Sequence, residues 1–78
     1  MTVSYWAEAG TIRSIAGTTL TPSKAAAMRD FYLADIAAVE RKPLDPEVIT
    51  FIQERDLRCA NELRAALAAL QAPQEIAA

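Results

Sequence analysis

The sequence predicts a mainly all-α protein, an antiparallel two-helix hairpin with a short extended or irregular N-terminal element. Three observations lead there. Two segments each open with a capping residue followed by proline, at Thr21-Pro22 and Asp45-Pro46. Each segment then carries core-type residues at alternating spacings of three and four, over 22–41 and 46–71. Only Lys42-Pro43-Leu44-Asp45 lies between them, and so short a link makes antiparallel neighbours.

The first helix starts where the Thr21 hydroxyl can accept from a free backbone N–H. Pro22 takes the first helical position, where its missing N–H costs nothing. Arg41 and Lys42 suit the negative end of the helix dipole, and Pro43 stops the helix. In the second helix Asp45 caps, Pro46 opens and Glu47 favours the positive end. The alanine-rich runs Ala25-Ala26-Ala27 and Ala65-Ala66-Leu67-Ala68-Ala69 have the best helix propensity.

The packing seam of the second helix reads Ile49, Ile52, Asp56, Cys59, Leu63, Ala66 and Leu70. That of the first reads Ala25, Met28, Tyr32, Asp35 and Val39, with Phe31 and Ile36 flanking. Asp35 and Asp56 are out of place on an apolar seam, and a buried carboxylate needs a partner. A hairpin turning near Pro43 sets Tyr32 opposite Arg55 and Asp56. It offers a Tyr32–Asp56 hydrogen bond and an Asp35–Arg55 pair. The two acids read as a polar layer fixing register, or as one acid turned toward a binding partner. Cys59, mid-seam, reads as a buried thiol. Arg55, Arg58 and Arg64 interleave with Glu54, Asp56 and Glu62, which reads as a solvated mixed-charge face.

Residues 1–20 are rich in Thr and Ser around Val3, Tyr5, Ile12 and Ile15, which leans toward extended structure. Ala16-Gly17 suits a turn between Thr11–Ile15 and Thr18–Leu20. Such a ribbon must pack on something, and the free apolar surface is the far end of the longer helix, Leu63–Leu70. Alternatively, Ser4–Glu8 forms a helical turn and Tyr5-Trp6 plugs the open end of the hairpin. Residues 72–78 read as a frayed tail.

Composition narrows the function. The 78 residues make one small domain, 1–78, with a net charge of −2, one cysteine and no histidine. A chain of this size buries only about 60% of its unfolded surface and gains from a partner. One thiol and no imidazole leave no disulfide, no zinc set and no Ser-His or Cys-His constellation. Gly10 and Gly17 make no phosphate loop. The expectation is a non-catalytic protein without cofactor, metal or small-molecule substrate. No apolar run approaches a membrane span, and the charge is wrong for a general nucleic-acid binder.

What remains is contact with protein. Phe51 lies about 100° off the seam, beside Val48 and Arg55, a composition typical of interface hot spots. Phe31 lies at the edge of its own stripe. Phe51, Val48, Arg55, Phe31, Tyr5 and Trp6 are the candidate partner-binding residues. Either the N-terminal segment covers Phe51, or a second copy or a foreign protein does.

Ser14, Ile15, Ala16-Gly17, Leu20-Thr21, Arg29-Asp30 and Tyr32 carry a partial resemblance over Ile12–Lys42. The stretch is similar to small phage head-completion proteins of the gpW group, in which an extended hairpin precedes a helix bearing Arg, acidic and aromatic residues. The resemblance implies a head–tail joining role at the portal ring, in a virion or in the host-cell cytoplasm. It departs from that group in two ways: only ten residues precede Thr11, and the second helix has no counterpart. The alternatives are a stoichiometric inhibitor or adaptor of a host protein and, third, a small nucleic-acid-associated regulator.

Overall fold

A computed structural model describes residues 3–71. Three strands precede two helices: β1 (Tyr5–Glu8), β2 (Thr11–Ser14), β3 (Thr19–Leu20), α1 (Pro22–Val39) and α2 (Pro46–Gln71). The hairpin body is as expected, and the Thr21 cap of α1 is in place, whereas Asp45 contributes its backbone carbonyl rather than a side-chain cap. Thr21 Oγ1 accepts from the Lys24 N–H at 3.2 Å. The Asp45 carbonyl accepts from Val48 and Ile49, each at 3.0 Å, starting α2. α1 ends two residues short of expectation, at Val39, with Glu40 as C-cap. Arg41 and Lys42 therefore lie outside its last turn.

The helices pack along their length in opposite directions. Gln53 Nε2 reaches back across the pair to the Ile36 carbonyl at 2.9 Å. At about 1.5 Å per residue, α1 spans ~27 Å and α2 ~39 Å, so α2 overhangs its partner.

The N-terminal element is a three-stranded antiparallel sheet, in order β1-β2-β3. The mainly helical reading stands, but "extended or irregular" understates this part, and neither a helical turn at Ser4–Glu8 nor a Trp6 plug forms. β1 and β2 pair from Tyr5↔Ser14 to Glu8↔Thr11, so Ala9-Gly10 is the whole connection. Both residues have positive φ, 53° and 79°, as a two-residue turn matching strand twist requires. The β2–β3 connection is longer. Ser14 N–H donates to Thr18 O at 2.9 Å and Gly17 N–H to Ser14 O at 3.0 Å, with Gly17 at φ 87°.

Alternation explains how the sheet docks. Ala7, Ile12 and Leu20 come into register on the inner face, while Trp6, Glu8 and Arg13 share the outer one. Ile12 and Leu20 close over Ala25, Leu63, Ala66 and Leu67 to form the core. That is the far end of α2, the surface expected to receive the N-terminal segment. The expected tail at 72–78 lies outside the described residues.

Candidate functional site

The partner-binding residues expected from sequence fall into three places. Tyr5 is built into the fold. Its hydroxyl meets the Tyr32 hydroxyl at 2.8 Å, and the two rings pack edge-on with centroids 6.3 Å apart. Burial, then the Tyr5 hydroxyl, pushes the Tyr32 phenol well above its ordinary value. Trp6 is 37% exposed on the outer face of the sheet, with its indole N–H 3.4 Å from Glu8 Oε1. The helical residues make up the remaining surface.

Phe51 is 68% exposed, Phe31 67% and Val48 43%, so the sheet does not cover them. The reason lies in α2. Phe51, Arg55, Arg58 and Glu62 follow spacings of four, three and four and share one line along the helix. Glu62 marks where the sheet sits: its Oε1 accepts from the Ser4 N–H at 2.8 Å and the Tyr5 N–H at 3.2 Å. Phe51 is eleven residues nearer the link, about 17 Å away at ~1.5 Å each. Phe31 stands beside Tyr32, with ring centroids 6.0 Å apart.

Surface relief follows the same line. Phe51, Glu54, Arg55 and Arg58 border one shallow hollow. Pro46, Glu47, Thr50, Phe51 and Glu54 border the next. Phe51 is the ridge between them. Among the described residues the ion pairs are Glu8–Arg13, Asp30–Arg29 and Asp56–Arg55. Glu47, Glu54 and Arg58 are thus charged groups on this face without an ion-pair partner among the described residues.

The polar layer differs from expectation. Tyr32 bonds Tyr5 rather than Asp56, because β1 brings a hydroxyl to it. Arg55 does not serve Asp35; its Nη2 holds its neighbour Asp56 Oδ1 at 3.0 Å. Asp56 is fully buried, and its Oδ2 meets no donor among the described residues. The Asp35 side chain lies against the same group. Burial first and this second acid next raise the Asp56 pKa, and Arg55 opposes them. A second acid beside a buried carboxyl disfavours its charged form, as burial does. Asp56 and Glu62 thus leave the expected solvated face, one for the helix interface and one for the sheet anchor. Their signal was spacing: Asp56 is on the a/d seam, and Glu62 abuts Leu63.

Cys59 is buried. Among the described residues no group of three or more His, Cys, Asp or Glu side chains is placed to hold a metal ion, and no described helix is long and apolar enough to cross a membrane. Compared with family models, with curated proteins and with solved structures, this chain finds no match.

Proposed function

We propose that this protein acts by protein–protein contact through the link-proximal face of α2, without catalysis, as a small assembly or head–tail joining component of a phage particle. The carrying observation is Phe51. A phenyl ring two-thirds in water, on a rigid helix and edged by unpaired charges, has the composition of an interface hot spot. The order hairpin, Leu20-Thr21, helix over Ile12–Lys42 supports the particle role. The absence of histidine from the chain supports a non-catalytic one.

The same face also suits a one-to-one binder that inhibits or adapts a host protein, since a single exposed ring flanked by both charge signs can seat in one complementary pocket. Mass spectrometry of purified particles, beside a pull-down from host extract, separates the two. Particle association that Phe51→Ser reduces by at least about tenfold, as expected for a hot-spot ring, supports the joining role. Stoichiometric capture of one host protein, with none of the chain in particles, replaces it with the inhibitor. Indifference of both measurements to Phe51→Ser overturns the contact reading.

A further inference from the structure

We infer that the occupant of the Phe51 face is a second copy of this chain, packed antiparallel along α2 about a two-fold axis between Phe51 and Glu54. This rests on the reading of that face as a contact surface and names its partner.

The hollow beside Phe51 is bordered by residues 51, 54, 55 and 58. That spacing, i, i+3, i+4, i+7, is the four-residue hole that receives a side-chain knob in helix–helix packing. The ridge next to it is a phenyl ring, the right knob, and the aliphatic stems of Arg55 and Arg58 border the hole that receives it. A two-fold axis makes the fit reciprocal: each Phe51 enters the other copy's hole.

Charge fixes the direction. Glu47 lies before Phe51 and Arg58 after it, about equally far from the axis. Glu47, Phe51, Glu54 and Arg58 run at spacings of four, three and four, a stripe symmetric about its midpoint. Antiparallel copies set each Glu47 opposite the other copy's Arg58. Parallel copies would set Glu47 against Glu47 and Arg58 against Arg58, which repels. Neither residue has an ion-pair partner among the described residues, so both are available. Glu62, which anchors the sheet, then falls level with the other copy's link.

Sedimentation equilibrium from micromolar to millimolar concentration tests this on the whole chain, with circular dichroism confirming that each variant is folded. Wild-type mass should rise toward that of two chains. Phe51→Ser should remain a monomer. Glu47→Arg and Arg58→Glu should each weaken the dimer by about tenfold, since each creates two repulsive pairs. The double variant Glu47→Arg/Arg58→Glu should return to within about threefold of wild type. A chain that stays monomeric, a dimer indifferent to Phe51→Ser, or a double variant without rescue overturns the arrangement. In that event the particle and pull-down measurements with Phe51→Ser still decide whether the face binds protein at all.

Discussion

Asp56 is the residue whose environment conflicts most with its chemistry. It is buried, held by one arginine and pressed by a second acid, and its pKa is raised above the ordinary carboxylate value near 3.8. A carboxyl so perturbed binds its proton more tightly folded than unfolded. The stability this contributes is full below the unfolded value and is lost as pH rises through the folded one. Asp56→Asn cannot ionise, and its amide can donate to Asp35. The variant should be more stable than wild type at neutral pH by about 1 kcal/mol. Urea titrations across the acid range should show that gap closing as pH falls toward about 4. A gap that does not depend on pH would mean that folding leaves the Asp56 pKa unshifted. The two acids were visible in the sequence as seam positions, yet their partners were not. Which side chain reaches which carboxyl depended on β1, whose Tyr5 takes up the Tyr32 hydroxyl.

At the scale of elements, the helices were legible because several local signals agree: cap, proline, period and alanine content. The β2–β3 hairpin was legible through Ala16-Gly17, while β1 was not. Ala9-Gly10 is the same dipeptide as Ala16-Gly17, but an alanine in the left-handed region costs roughly 1–2 kcal/mol, so it is a weak turn signal. The strand forms anyway because Glu62 takes the N–H groups of its first residue, Tyr5, and of Ser4 just before it, and Ala7 and Ile12 pack together on the inner face. The cost should be recoverable. Ala9→Gly or Ala9→Asn should stabilise the protein by about 0.5–1 kcal/mol, read as a melting temperature raised by a few degrees. No gain would show that the sheet already absorbs the strain elsewhere.

Taken whole, the molecule is a rod, 55 × 20 × 20 Å, with its hydrophobic cluster at one end. Ile12, Leu20, Ala25, Leu63, Ala66 and Leu67 close together where the sheet meets α2. Toward the link, Val39 is the buried apolar residue of α1, and Leu44, Val48 and Phe51 stand in water. Leu63→Ala should therefore cost about 2–5 kcal/mol and unfold much of the population at ambient temperature, while Phe51→Ser should leave the thermal transition of the monomer nearly unchanged. A Leu63 variant that melts normally would place the core elsewhere. The sequence made this asymmetry partly readable, through the free apolar surface at Leu63–Leu70. It left open whether the N-terminal segment would also reach Phe51, which the structure decides by docking Ile12 and Leu20 on the far end of α2 and anchoring β1 at Glu62.

The lopsided interior also separates two kinds of genetic sensitivity that usually overlap. In a library of random substitutions, losses near the sheet would report foldability, whatever the protein's task. Losses at the exposed Phe51 ring itself would report the task, since that ring lies outside the packed interior, while neighbours such as Gln53 still hold the two helices together.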